Sequence, residues 1–165
     1  MPAVADLDTM RAHGCVVTGG LGFIGSNLVH RLVAHGIPVR IVDAVVAEHG
    51  ANRRNIDGLD VEVLEADVGD PRVAPMLRGV SHVFNLAGQV SHTASMVDPV
   101  RDLELNAITH ARFLETLRHE NPTARVVHTS TRQVYGRVAK LPVDELTAAR
   151  PIDVNGVAKL AGEHL

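Results

Sequence analysis

Short runs of β-branched residues alternate along the chain with longer stretches in which apolar residues recur every three or four positions. This is the pattern of a parallel sheet covered by helices. Gly14-Cys-Val-Val-Thr18 predicts a first strand, and Phe23 to His35 a helix with apolar positions at Phe23, Ile24, Leu28, Leu32 and Val33, closed by Gly36. Val39-Arg-Ile-Val-Asp43, Val61-Glu-Val-Leu-Glu-Ala66 and Val80 to Leu86 predict three further strands, implying a buried parallel sheet. A short helix begins at Pro71 with Asp70 as its cap. The longest predicted helix follows Asp98-Pro99 and runs to about Glu120, with Leu103, Ile108, Ala111, Leu114 and Leu117 on one side, until Asn121-Pro122 stops it. Arg125-Val-Val-His-Thr-Ser130 predicts a fifth strand, Arg137 to Arg150 an irregular loop, and Val154 to Leu165 the start of another helix.

Composition narrows the class. The 165 residues suffice for one domain with its own core. With 45% hydrophobic and 21% charged residues and a formal net charge of −3, the chain is neither a disordered tail nor a polybasic nucleic-acid binder. The longest largely apolar stretches, such as Ile37 to Val42, itself interrupted by Arg40, with Ala44 to Ala47 just beyond Asp43, fall far short of the roughly 18 residues of a membrane span. Met1 to His13 carries Asp6 and Asp8 where a signal peptide has a basic end and an apolar stretch, and the one cysteine, Cys15, cannot form an internal disulfide. The expectation is a cytoplasmic protein. The ten histidines show no tight metal-ligand spacing, so no metal is expected. Aromatic residues make up 2%, with no Trp and one Tyr, which leaves almost no stacking platform for bases or sugars.

The chemistry begins at Thr18-Gly-Gly-Leu-Gly-Phe-Ile-Gly25, between the first strand and the first helix. Gly20 or Gly19 permits the tight turn, Gly22 lets backbone approach a pyrophosphate, and Gly25 lets the helix pack closely on the strand. The helix start, through Phe23 and Ile24, offers unpaired N–H groups to an anion. Asp43 ends the second strand, 18 residues after Gly25, where a carboxylate accepts from the adenosine ribose hydroxyls; that argues for NAD over NADP. Arg53 and Arg54 lie downstream as either a 2′-phosphate pair or a solvated surface pair.

With these residues in view, the sequence resembles the extended short-chain dehydrogenases/reductases, the NAD-dependent epimerase/dehydratase group acting on nucleotide sugars, from about Gly14 to Leu165. The resemblance implies an α/β fold, the doubly wound parallel sheet of the Rossmann type. It implies that Gly19, Gly22 and Gly25 form the dinucleotide turn, that Asp67 with Val68 reaches the adenine, and that Leu86, Ala87 and Gly88 run beside the cofactor, leaving room for the nicotinamide ribose. Asn106 matches the family's helix Asn, as an active-site residue or as a buried amide bonding a neighbouring strand. In His128-Thr-Ser-Thr-Arg-Gln-Val-Tyr-Gly136 the hydroxyl residue is Thr131, with Thr129 and Ser130 as adjacent alternatives. Arg132 and Gln133 stand where sugar 4,6-dehydratases resemble one another in an Asp-Glu pair, and neither can shuttle a proton near neutrality, which favours epimerisation or simple oxidation.

The base should be a Tyr four residues before a Lys. Lys159 is in place and Asn155 occupies the Tyr position; Tyr135, the single Tyr, belongs to a separate element. An amide cannot act as general base. Lys159 can still hydrogen-bond the nicotinamide ribose, and Asn155 a sugar hydroxyl or a water. Three explanations stand: an inactivating change, another base such as His92 or a held water, or NAD binding without turnover. The resemblance further implies a homodimer through the helix after Pro99 and the helix from Val154, and a nucleotide-sugar partner carrying UDP or GDP. The expected division is an N-terminal extension over 1–13 and an NAD-binding domain over 14–165, with the family's C-terminal strands and substrate domain absent from this chain.

Overall fold

The computed structural model describes residues 4–46, 50–89 and 92–165, the side chains of Val4, Ala5, His92 and Ala94 apart. Five parallel strands form one sheet: β1 (Cys15–Thr18), β2 (Val39–Asp43), β3 (Glu62–Glu65), β4 (His82–Asn85) and β5 (Arg125–His128), in the order β3-β2-β1-β4-β5. The order reverses beside β1, which makes the sheet doubly wound. In register, Cys15 pairs with Val39 on one side and His82 on the other, and Thr18 with Val42 and Asn85. The ends of β1 and β4 are therefore level.

The chain divides into two compact units, one of residues 1–87 and 113–129, the other of residues 88–112 and 130–165. The first holds the whole sheet. Because neighbouring strand residues point to opposite faces, Cys15, Val17 and Ile41 join one apolar cluster while Val16, Val42 and Val83 join another. The first cluster is closed by Val29 and Leu32 of α2 (Phe23–Ala34) and by Met10 of α1 (Val4–His13). The second is closed by Met76 and Leu77 of α3 (Ala74–Leu77) and by Phe113 and Leu117 of α6 (Thr109–Glu120).

The sequence pattern differs from the structure in three places. No element was expected over 1–13, yet α1 packs there, its Arg11 Nε donating to the His35 carbonyl at 3.0 Å. The helix after Pro99 is not one regular rod: α5 (Pro99–Leu103) passes through a π-helical turn, Glu104–Ile108, into α6. The extra residue in that turn breaks the 3.6-residue stripe, so Leu103 and Ile108 are exposed and Phe113 takes the core position. A short helix α4 (His92–Val97) stands where no element was predicted. The second unit contains α4, α5, the π turn and α7 (Val154–His164), with a 3₁₀ turn at Arg132–Tyr135.

Candidate functional site

In the sheet-bearing unit the glycine turn is built by backbone proximity. Gly19 has φ +67, and a methyl group there would lie 3.0 Å from the Ala87 nitrogen; this assigns the tight turn to Gly19 rather than Gly20. A methyl group on Gly25 would lie 2.1 Å from the Gly19 carbonyl oxygen. At Gly22 the nearest atom would be 3.4 Å away, so this position keeps an open approach. Gly22 also precedes α2 without any side-chain cap, leaving the first-turn amides of Phe23 and Ile24 uncommitted by the helix itself. Phe23 and Ile24 point their side chains outward and are exposed. A cradle with open backbone at Gly22 and crowding at Gly25 fits a diphosphate.

Asp43 is buried at the end of β2 and does two structural tasks: Oδ2 accepts the Leu21 N–H at 2.9 Å and Oδ1 the Val45 N–H at 2.8 Å. Each carboxylate oxygen has a further lone pair for a ribose hydroxyl. Asp67 is exposed and accepts the Gly69 N–H at 2.8 Å, while Val68 turns into the second apolar cluster. Thr18 ties β1 to the segment after β4: its hydroxyl donates to Asn85 Oδ1 at 2.6 Å and accepts the N–H groups of Leu86 and Ala87, both at 3.1 Å. Arg53 is paired with Glu65 at 2.5 Å, so its charge is already answered on the surface.

The second unit gathers Gly88, Asn106, Asn155 and Lys159. Asn155 and Lys159 lie one turn apart on α7, both buried. Asn155 Nδ2 donates to the Gln89 carbonyl at 3.2 Å and to Asp102 Oδ1 at 3.3 Å. Asn106, in the π turn, donates to the same carboxylate oxygen at 3.1 Å and bonds Gln89 by both its amide ends. This is the buried-amide role, with a loop in place of a strand as its partner. A methyl group on Gly88 would meet Asn106 Oδ1 at 2.7 Å and Lys159 Nζ at 2.9 Å, so those two polar ends fill the space beside the glycine. Burial pushes the Lys159 ammonium below its ordinary value, and the Asp102 charge opposes the shift.

Thr131 caps the Arg132–Tyr135 turn, its hydroxyl accepting the Gln133 N–H at 3.3 Å. Asp153 joins that turn to α7: it caps the helix through the Gly156 N–H at 2.7 Å and accepts from Gln133 Nε2 at 3.3 Å. The side chain of His92, the alternative base, lies outside the described residues, as do Val90 and Ser91. Among the described residues no three His, Cys, Asp or Glu side chains converge as metal ligands, and no helix is long and apolar enough to cross a membrane.

A family profile described as GDP-mannose 4,6 dehydratase matches residues 16–165. The chain belongs to that family, the NAD-dependent epimerases and dehydratases. UDP-glucose 4-epimerase of Mycolicibacterium smegmatis is 34% identical over 152 residues, covering 90% of this chain and 48% of the relative. UDP-glucose 4-epimerase of Thermus thermophilus, solved as a complex with NAD, superposes with a TM-score of 0.82 at 32% identity, covering 91% of this chain and 48% of that one. The Thermotoga maritima UDP-glucose 4-epimerase, solved with UDP-glucose, gives 0.80 at 30% identity with the same coverage, 91% and 48%. The chain therefore spans about half the length of the relatives it matches.

Three contributors in this epimerase/dehydratase chain have no role assigned from the sequence. Asp102 carried a signal in its spacing, four residues before Asn106 and so on the same helical face. Asp153 carried one as a helix cap three residues before Gly156. The backbone of Gln89 carried none, since its role comes from where the loop passes.

Proposed function

We propose that the chain is the NAD-binding half of a nucleotide-sugar oxidoreductase, closest in chemistry to a 4-epimerase acting on a UDP- or GDP-sugar. The observation that carries this reading is the glycine turn, with Gly25 closed against Gly19 and Gly22 open, in a chain of the epimerase/dehydratase family. In this reading Gly19, Gly22, Phe23, Ile24 and Gly25 receive the diphosphate, Asp43 the adenosine ribose, and Asp67 with Val68 the adenine. Leu86, Ala87 and Gly88 line the nicotinamide side, Lys159 holds the nicotinamide ribose, and Thr131 holds the sugar oxygen. Bound there, NAD would supply a reversible hydride acceptor for a sugar carbon. Arg132 and Gln133 disfavour a dehydratase, because neither a guanidinium nor an amide exchanges a proton near neutrality.

Residues 14–165 form the NAD-binding domain in this proposal, 1–13 are an added segment, and the location is cytoplasmic. A homodimer belongs to the same reading, supported by the exposed Val100, Ile108 and Val157 on the helices concerned. A monomer by light scattering removes it.

A second reading is a non-catalytic NAD-binding module, favoured by Asn155, whose amide has no ionisation to offer and is committed to Gln89 and Asp102. Incubating the protein with NAD and UDP- or GDP-sugars, while following epimer formation and transient NADH absorbance, separates the two. Turnover supports the enzyme; NAD binding without turnover supports the module; no NAD binding removes both. Asn155→Tyr then sorts an inactivated enzyme, which gains turnover, from one that uses another base, which does not.

A further inference from the structure

We propose that Asp102 is the positioning residue of the Lys159 cluster, fixing the Asn155 amide with its hydrogens turned inward so that only the carbonyl oxygen is offered to a ligand hydroxyl. The ligand part of this statement rests on the function proposed above; the orientation does not.

Asp102, Asn106 and Asn155 are 1%, 2% and 3% exposed. A primary amide has two N–H donors and one carbonyl acceptor. Both donors of Asn155 have acceptors, the Gln89 carbonyl at 3.2 Å and Asp102 Oδ1 at 3.3 Å. Turning the amide over would set its oxygen against those two oxygens with no hydrogen between them, which costs more than a lost hydrogen bond. Asn106 is locked by the same logic, because it donates to Asp102 and to the Gln89 carbonyl while accepting the Gln89 N–H. Asp102 Oδ1 thus takes one hydrogen bond from each amide and sets both.

The second oxygen of Asp102 is buried and accepts no hydrogen bond among the described residues. A carboxylate left this way needs a nearby positive charge. Lys159 stands in the same cluster, its Nζ beside Asn106 Oδ1 at Gly88; burial lowers its proton affinity and the Asp102 charge opposes that shift. Among the described residues His110, buried on α6, is also coupled to Lys159; its value is lowered chiefly by burial and further by Lys159, against the hydrogen bond its ring donates to the Gly162 carbonyl. Asp102 therefore performs two tasks at once, orienting the acceptor at Asn155 and favouring the charged form of Lys159. An acceptor at this position holds a sugar alcohol, which has a proton to donate, and gives nothing to the corresponding ketone.

The chain has only two lysines, the exposed Lys140 and the buried Lys159. Protein labelled with carbon-13 at lysine Cε, free of ligand, therefore gives two resolvable titrations by NMR, with Lys140 as internal reference. In Asp102→Asn the Lys159 midpoint moves to lower pH while Lys140 stays, and Asp102→Glu returns it toward the original. A folded Asp102→Asn protein with an unmoved Lys159 midpoint overturns the proposal. A second measurement needs no Asp102 variant: the Asn155 side-chain amide pair, assigned by its loss in Asn155→Asp, exchanges slowly with solvent. Exchange as fast as that of the exposed Asn52 amide overturns it equally. Both signals are read without NAD, so failure of cofactor binding removes the function above and leaves these outcomes to stand alone.

Discussion

Asn106 pairs with both backbone groups of Gln89, accepting its N–H at 3.1 Å and donating to its carbonyl at 3.3 Å. A side-chain amide thereby does what a neighbouring strand would do for this loop, and it also donates to Asp102. Asn106→Leu keeps the branching and the number of heavy atoms and removes all three bonds. The expected cost is about 1–3 kcal/mol in urea unfolding, because the groups it leaves behind are buried or half-buried. Asn106→Asp should cost more at neutral pH and recover on mild acidification, since it sets a second carboxylate against Asp102. An Asn106→Leu protein as stable as the parent would contradict this account of the loop.

The two glycines at the head of α2 should separate stability from binding. Gly25→Ala pushes a methyl group to 2.1 Å from the Gly19 carbonyl, a backbone atom that cannot swing aside, and about 1–3 kcal/mol of stability is expected to go. Gly22→Ala meets nothing closer than 3.4 Å, so its unfolding midpoint should stay near the parent's while NAD affinity falls. Calorimetric titration with NAD beside thermal unfolding reads both. Equal losses of stability in the two variants would refute the division of labour.

Asp43 is expected to show both effects together. Asp43→Ala strands the N–H groups of Leu21 and Val45, at about 1–3 kcal/mol for each that stays buried, and it removes the acceptors for a ribose. Val45 has φ +54, so the carboxylate also holds a backbone conformation that valine seldom adopts. Asp43→Asn retains one acceptor and should fall between parent and alanine variant in unfolding experiments. If Asp43→Ala weakened NAD binding with no loss of stability, the structural task assigned here would be wrong.

What was legible in the sequence follows from which interactions are local. The five strands, α2 and the start of α7 announce themselves through β-branched runs, a 3.6-residue stripe and glycine punctuation, and each falls within a residue or two of expectation. The glycine turn was legible because its constraint is a close approach between residues six apart, Gly19 and Gly25. The π turn at Glu104–Ile108 was not, since nothing in Glu-Leu-Asn-Ala-Ile distinguishes it from an ordinary helical turn; it is associated with Asn106, whose bonds reach back to Gln89. Helix α1 was missed because its apolar residues make only a weak stripe, and its docking rests on Met10, Arg11 and the ion pair between Asp6 and Arg125. Asp102 was overlooked for a related reason: a charged residue on a helix is ordinarily a solvated one.

Acid should unfold the protein in two stages, and the first belongs to histidine. His82 and His110 are buried, and burial is the main cause that lowers both from the ordinary 6.5; Arg125 adds to this at His82, against Asp6, and Lys159 at His110, against the hydrogen bond its ring donates to the Gly162 carbonyl. Below about pH 6.5 the unfolded chain takes up protons at these two rings before the folded chain does. Stability therefore rises with pH through this window and is lost as pH falls from 6.5 toward the lowered folded values, by at most about 1.4 kcal/mol per pH unit for each ring. The second stage comes from carboxylates held down by arginine: Glu115 beside Arg118, lowered to about 2, with Asp70 beside Arg72 and Glu120 beside Arg78. Their contribution is present above the ordinary carboxylate range and fades as they are protonated, but these pairs are exposed, so it should be small and should shrink further in high salt. His82→Gln with His110→Gln should flatten the slope of unfolding free energy between pH 5 and 7, as set by the ordinary histidine value of about 6.5. The response below pH 4, roughly the carboxylate range, should remain. An unchanged slope in a folded double variant would place the acid sensitivity elsewhere, and a slope flattened as far by one single variant as by the double would assign it to a single ring.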